Sequence, residues 1–253
     1  MLGRMVMRTL PGSRTESGAA VIRVLSYNIR SMRDDRHSLA RVIRACAPDV
    51  VLIQEAPRFF RWRKHAAWLA KHSDLVTITG GATTTGPMLI GSLRVTVERT
   101  EDVLLPKAPG LHRRGFAVAV VRIGGARVGL LSCHLSLRSD ERHAQAGMLL
   151  GRLKELGVEH VIVGGDINER PEGRSFRRLS AELQDCWAVR PWGGENTYGT
   201  DAPHKRIDAI FATGGIEVLG CGVPLDLPGI SRADLRAATD HLPVLAALRV
   251  PAG

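Results

Sequence analysis

The chain has 253 residues, 44% hydrophobic and 24% charged, which excludes disorder, collagen-like repeats and coiled coil; a chain this long buries roughly three-quarters of its unfolded surface, so it needs neither metal nor disulfides merely to fold. No apolar run approaches the ~20 residues that span a bilayer, and Cys46, Cys133, Cys186 and Cys221 stand too far apart for a zinc ribbon or a dense disulfide framework, so they read as reduced, mostly buried thiols. Lys plus Arg number 35 against 25 Asp plus Glu, and the net +10 favours encounter with polyanions, although nearly all of it is Arg in an Ala-, Gly- and Val-rich chain, a bias that base composition alone produces.

Residues 1–20 carry Arg4, Arg8 and Arg14 among Gly, Ser, Thr and Pro without the apolar segment of a signal peptide. They are expected to form a disordered tail on a cytoplasmic protein. From residue 21 to 253, β-rich runs alternate with helical stretches and no linker interrupts them, which implies a single domain. Val21–Ile29 reads as the first strand, a helix covers about Ser38–Cys46, and Asp49–Glu55 is a buried strand because its apolar residues are contiguous. Arg58–His72 mixes Phe59, Phe60, Trp62 and Trp68 with basic residues at amphipathic spacing, and is expected to form a helix that packs its aromatics inward; the other reading is a basic, aromatic surface for nucleic acid. Strand-like runs follow at Leu75–Thr79, Met88–Ile90, Leu93–Val97, Gly115–Ile123 and Arg127–His134, divided by Gly- or Pro-bearing turns. A helix over Asp140–Leu156, strands at His160–Asp166 and Arg206–Thr213, and a last strand at Leu242–Val250 complete the reading. Two mainly antiparallel sheets packed face to face, with helices on their outer faces, would bury all these runs.

Hydrophobic strands end in residues that packing does not call for: Asn28, Glu55, His134, Asp166 with Asn168, and the pair Asp240–His241, while Asp208 lies inside another strand. A carboxylate in or beside an apolar strand costs several kcal/mol unless it is paired or binds a cation. If these ends converge, Glu55, Asp240, Asp166 and the amide oxygens of Asn28 and Asn168 make a hard-oxygen site beside two imidazoles, a set that suits Mg²⁺ or Mn²⁺. Zinc is disfavoured because no His or Cys pair has zinc spacing and HExxH is absent. An EF-hand starting at Asp166 fails at Arg170, Pro171 and Arg177, and neither a P-loop nor a G-x-S-x-G elbow occurs. A hard cation suits chemistry in which negative charge must be neutralised while water attacks, with phosphate esters the leading candidates.

The ordered set SYN, QE, SCHLS, GGDIN, RID and TDH, running between Ile22 and Val250, resembles the endonuclease/exonuclease/phosphatase superfamily. The resemblance implies a deoxyribonuclease I-like fold, a four-layer α/β sandwich. It implies that Glu55 binds the catalytic metal with Asn28 and Asp240, and that His241, oriented by Asp208, serves as general base or phosphate clamp. Asp166 and Asn168 would position the attacking water, and His134 would hold a phosphate oxygen or assist the leaving oxyanion. One metal or two, and Asp166 or the Asp208–His241 pair as proton acceptor, both stay open. Arg114 matches an Arg-Gly that many bacterial members carry before a central strand and would contact phosphate. Arg142 and Gln145 would hold the His134 loop, Thr197 and Tyr198 would approach substrate, and His204 with Lys205 either faces phosphate or, as the favoured reading, forms a solvated turn.

Departures from the family pattern bear on substrate. Abasic-site repair members carry Tyr where this chain has His134, and Asn-Gly where it has Ile29–Arg30 after the first Asn. No membrane-facing aromatic hairpin of the sphingomyelinase kind and no inositol-phosphatase motif is evident. The expectation is hydrolysis of a phosphodiester, with DNA or RNA first because of the positive charge. A small-molecule or lipid phosphate ester is the alternative and a non-catalytic binding module a third reading, and no stable protein partner is implied.

Overall fold

In a computed structural model of the chain, the residues described are 9–107, 109–110 and 112–252. They form, in chain order, β1 (Arg14–Glu16), β2 (Ala19–Asn28), α1 (Arg36–Ala45), β3 (Val50–Gln54), α2 (Trp62–His72), β4 (Val76–Gly80), β5 (Met88–Gly91), β6 (Val95–Leu104), β7 (Gly115–Ile123) and β8 (Ala126–His134). There follow α3 (Ser139–Glu155), β9 (Val161–Asp166), α4 (Arg174–Ser180), β10 (Gln184–Asp185), α5 (Cys186–Val189), β11 (Asp208–Ala212), β12 (Glu217–Gly222), α6 (Arg232–Ala238) and β13 (Val244–Pro251).

One sheet has the order β12-β13-β2-β3-β5-β4, with β1 added on β2; the other has the order β10-β11-β9-β8-β7-β6. Only β2/β3 and β8/β9 pair in parallel. The inner strands β2, β3, β7, β8, β9 and β11 are buried on both faces, and period-two alternation sends their side chains into two different cores. Ile22, Val24, Val50 and Leu52 of the first sheet meet Ala119, Val121, Leu130, Ile162 and Ile210 of the second in the central layer. The intervening Leu25, Tyr27, Val51 and Ile53 face outward and are covered by Leu39, Val42 and Ile43 of α1, Leu69 of α2 and Leu235 of α6. On the far side Leu131, Val163 and Phe211 pack under Ala146 and Leu149 of α3 and Phe176 of α4. The result is helix, sheet, sheet, helix: a four-layer α/β sandwich. All four cysteines are buried and unpaired. No helix among the described residues is long and apolar enough to cross a membrane.

Several expectations need correction. Residues 1–8 of the expected tail lie outside the described residues, but its remainder is ordered: β1 pairs with the start of β2 and Leu10 is buried. The helix expected from Arg58 starts at Trp62, because Arg61 at its N-terminus has φ +59°. Phe59 and Phe60 precede that break and are exposed rather than packed. β6 runs on to Leu104 as an edge strand; its adjacent charged pairs Glu98–Arg99 and Glu101–Asp102 mask an apolar signal while keeping the edge soluble. The short elements β1, β10, β12, α4, α5 and α6 were not expected, although α6 opens with a capping box between Ser231 and Asp234.

Candidate active site

The central layer changes character along its own strands. Stepping by two along β2 gives Val24, Ser26, Asn28; along β3, Val50, Leu52, Gln54; along β8, Leu130, Ser132, His134; along β9, Ile162, Gly164, Asp166. β11 runs the other way, and Asp208 at its first residue pairs in register with Asp166, as His134 does on the opposite side. Parallel pairing sets Asn28 level with Gln54 in one sheet and His134 level with Asp166 in the other, and the hydrogen bond from Asn28 to Asp166 shows that the two ends meet across the sandwich.

Beneath this end lies a buried polar layer that ties the sheets together. Ser132 Oγ donates to the Ile53 carbonyl at 2.6 Å, and Gln54 Nε2 donates to the Leu52 carbonyl at 2.9 Å and to Ser132 Oγ at 3.2 Å. Gly164 allows the sheets to close here, since a Cβ on it would stand 2.4 Å from Leu52 Cδ1.

Glu55 follows β3, and simple alternation would turn it toward the helical layer with Val51 and Ile53. Its backbone instead adopts φ +52°, a conformation that costs a non-glycine residue roughly 1–2 kcal/mol. The turn brings its carboxylate to Asn28, whose Nδ2 donates to Glu55 Oε1 at 3.2 Å and to Asp166 Oδ2 at 3.1 Å. Asn28 Oδ1 meanwhile accepts from the Arg30 amide at 3.1 Å. Its side chain thus acts as a bracket between two carboxylates.

Asp166 is the hub. Its Oδ1 accepts from the Asn168 amide at 2.9 Å, and Asn168, itself at φ +55°, donates its Nδ2 to the Leu135 carbonyl at 2.9 Å. Asp166 Oδ2 stands 3.5 Å from His134 Nε2 and 3.8 Å from His241 Nε2. His241 Nδ1 lies 2.9 Å from Asp208 Oδ2. Burial opposes a charged His241, but the carboxylates of Asp208, Asp166 and Asp240 outweigh it and push the imidazole up to about 10. His134 goes the other way: burial first, then the cations Arg114, His241 and Arg58, hold it well below the usual imidazole range. Asp166 is raised above the usual carboxylate range by burial and by Asp208.

Asp240 is half-buried beside the Arg30 guanidinium, at 3.5 Å, and accepts from Thr239 Oγ1 at 3.3 Å. The loop after His134 is clamped from α3. Gln145 Oε1 accepts from the Ser136 amide at 2.8 Å, and Arg142 donates to the Ser136 and Leu137 carbonyls at 2.8 and 2.9 Å while pairing with Glu169 at 3.0 Å.

Above this constellation opens a cleft of about 680 Å³ lined by Glu55, Arg114, His134, Asp166, Asn168, Asp240 and His241, with Asn28 and Asp208 buried in its floor. All nine sequence-derived candidates are thus brought to one place. Arg58, Arg170, Tyr198 and Lys205 line it as well. Lys205 corrects the expectation of a solvated turn, since its ammonium faces the cleft 5.6 Å from the Tyr198 ring centre, whereas His204 stays exposed. Arg58 and Arg170 were not singled out, because an arginine in a basic chain carries no signal of its own.

The donor set suits a hard divalent cation. Asp166 and Asp208 carry carboxylate oxygens within 4.8 Å of each other, Asp208 Oδ1 is buried without a hydrogen-bond partner, and the Glu55 carboxylate is over one-third exposed to the cleft. Burial, then the neighbouring Asp208 carboxylate, drives Asp166 upward against the opposing pull of His241 and the hydrogen bonds from Asn28 and Asn168.

Residues 25–241 match the Endonuclease/Exonuclease/phosphatase family. No protein of curated function matches the chain. Among solved structures, an endonuclease/exonuclease/phosphatase from Bacteroides vulgatus is similar at 18% identity, covering 91% of this chain and 99% of that one, with a TM-score of 0.74. A mannosyl-6-phosphatase from Bacteroides thetaiotaomicron is similar at 16% identity, covering 90% and 99%, with a TM-score of 0.73. TDP2 from D. rerio, complexed with a single-strand DNA product, is similar at 21% identity, covering 90% and 98%, with a TM-score of 0.70. With the family match spanning most of its length and the same fold throughout, the chain belongs to the endonuclease/exonuclease/phosphatase family.

Proposed function

We propose that this protein is a divalent-metal-dependent phosphodiesterase that hydrolyses P–O bonds by in-line attack of water, with nucleic acid as its substrate. The observation that carries the reading is the convergence on one cleft of Glu55, Asp166 and His241, with His241 anchored on Asp208 at 2.9 Å and Glu55 and Asp166 bridged by the Asn28 amide. A fold retained only for binding has no need to hold three carboxylates and an imidazole in so costly an arrangement.

Glu55 would hold Mg²⁺ or Mn²⁺, with Asp166 and Asp240 lining the same cleft. When bound, the cation supplies Lewis-acid polarisation of a phosphoryl oxygen and neutralises charge in the transition state. His241 Nδ1 is committed to Asp208, so its Nε2 is the atom that faces substrate. Kept protonated by its carboxylate neighbours, it donates to a non-bridging phosphate oxygen rather than taking a proton. Asp166 is held on both sides by Asn28 and the Asn168 amide, and it orients the attacking water and accepts its proton. As water bonds to phosphorus, the opposite P–O bond breaks. His134, neutral and 3.5 Å from Asp166, sits where it contacts a phosphate oxygen or the departing one. Arg114 and Arg58 supply further positive charge at the cleft.

The unpaired cations around the cleft favour nucleic acid. Fold likeness to a mannosyl-6-phosphatase supports a second reading, a small phosphate monoester. The two separate in one panel: purified protein with Mg²⁺, single-stranded DNA and RNA, a lipid phosphodiester and sugar phosphates, each with and without chelator. Chelator-sensitive cleavage of the polynucleotides is expected. Hydrolysis confined to small or lipid esters would reverse the substrate assignment.

A further inference from the structure

Next to the cleft, the segment between β3 and α2 presents two aromatic rings to solvent. Phe59 is 79% exposed and Phe60 86%. They are displayed by backbone design. Before them, the Ala56 amide is fixed to the Gly86 carbonyl at 2.8 Å; after them, the left-handed Arg61 delays the helix and the Trp62 ring lies against Gly81. The segment is anchored at both ends, and both rings face solvent between the anchors.

The surrounding charge is one-sided. From Ala56 to Ser73 the chain contains Arg58, Arg61, Arg63, Lys64 and Lys71 and no Asp or Glu. None of these five forms an ion pair among the described residues, whereas Arg41, Arg94, Arg127, Arg152 and Arg249 elsewhere are each held by a carboxylate. The Arg58 guanidinium lies 5.7 Å from the Phe59 ring centre and that of Arg61 lies 5.6 Å from the Phe60 ring centre. Arg58 also lines the cleft and donates to the Thr85 carbonyl at 3.1 Å, which places the start of the aromatic pair at the cleft's edge.

We propose that Phe59 and Phe60 are a stacking platform for bases of a single-stranded nucleic acid, whose phosphates pass along Arg61 and Arg58 into the cleft. The inference rests on the phosphodiesterase reading and names its substrate class as a strand with unpaired bases. Aromatic faces interleaved with guanidiniums that no carboxylate neutralises match such a strand, whose bases offer π-faces and whose backbone offers charge. A duplex keeps its bases stacked inside and presents nothing to the rings. A bilayer calls for a broader apolar surface than two phenyl groups ringed by cations.

The test is fluorescence anisotropy of the full chain, with chelator present, against a labelled oligothymidine of about 12 nucleotides. The double variant Phe59→Ala/Phe60→Ala should bind about tenfold more weakly, with its thermal melt nearly unchanged because the removed rings are exposed and leave no cavity. Phe59→Trp/Phe60→Trp should restore or tighten binding. Arg61→Ala should lower the slope of log affinity against log salt by about one. Equal affinity of wild type and the double alanine variant would overturn the platform. So would Phe-dependent sedimentation with phosphatidylcholine/phosphatidylglycerol vesicles in place of Phe-dependent oligonucleotide binding, or equally Phe-dependent binding of a duplex of the same length. Metal-dependent hydrolysis of bis(p-nitrophenyl) phosphate by the wild type separates the two claims. Hydrolysis without Phe-dependent binding sinks the platform alone, and Phe-dependent binding without hydrolysis sinks the proposed function alone.

Discussion

The two imidazoles that flank Asp166 are similarly buried, yet their surroundings drive them apart. On one side His134, 7% exposed, has Arg114 and Arg58 for electrostatic company and is kept neutral. On the other side His241, 6% exposed, is bonded to Asp208 and kept charged. Burial alone would treat them equally, so the difference comes from their neighbours. Two like residues on either side of one carboxylate are in this way given different work: one carries charge to the phosphate, the other offers an uncharged ring.

Substitutions that respect or violate that difference should have unequal effects. His241→Gln keeps a hydrogen-bond donor but removes the charge, and is expected to lower kcat by roughly 10²–10⁴-fold, the usual contribution of a positioned acid–base group. His134→Gln replaces one neutral polar group by another and should cost about tenfold or less. Similar losses in both variants, measured as kcat on one phosphodiester, would erase the distinction.

Asp208→Asn attacks the cause of the difference rather than its consequence. It should lower kcat less than His241→Gln and also change stability. In chelator, the raised folded-state value of His241 contributes stability that is fully present below about pH 6.5, the unfolded imidazole value, and is lost as pH rises through about 10. The raised Asp166 acts with the same sign: its ionised form is disfavoured in the fold, so stability falls as pH climbs above the ordinary carboxylate value. Above about pH 6.5, where the depressed His134 is neutral in both the folded and the unfolded chain, the melting temperature should therefore decline toward about pH 10, and Asp208→Asn should flatten the decline, as followed by circular dichroism.

Asp166→Asn should remove most activity and yet raise the melting temperature of the metal-free protein at neutral pH, by on the order of 1 kcal/mol or roughly 2–4 °C for a chain of this size. A lower melting temperature would show that Asp166 is settled by its hydrogen bonds alone. Glu55→Gln is expected to have the smallest effect on the fold, shifting the Mg²⁺ activation curve to higher concentration with little change in melting. An unchanged curve would remove Glu55 from the ligand set.

The frame of this site was legible in the sequence because period-two strands end in polar residues that no core explains, and Asn28, His134 and Asp166 follow that logic directly. Glu55 was legible only as an acid after an apolar run; its left-handed turn, without which it would face the helices, leaves no mark on its residue type. The partnerships were hidden for a related reason. That Asn28 brackets two carboxylates and that Arg30 accompanies Asp240 depends on rotamers and loop paths set by distant strands. Short elements such as α4, buried mainly through Ser175, Phe176 and Leu179, are too brief for periodicity to register. The exposure of Phe59 and Phe60 was invisible because a basic, aromatic heptad looks the same whether its rings turn in or out.

Turnover of a simple phosphodiester by the wild type, Glu55→Ala and His241→Ala, each with Mg²⁺ and with chelator, bears most directly on whether this cleft is a metal-assisted catalytic centre. Hydrolysis by the wild type that needs the cation, and falls steeply in both variants while their folds persist, is the predicted result. Equal residual turnover in all three proteins, indifferent to chelator, would contradict it.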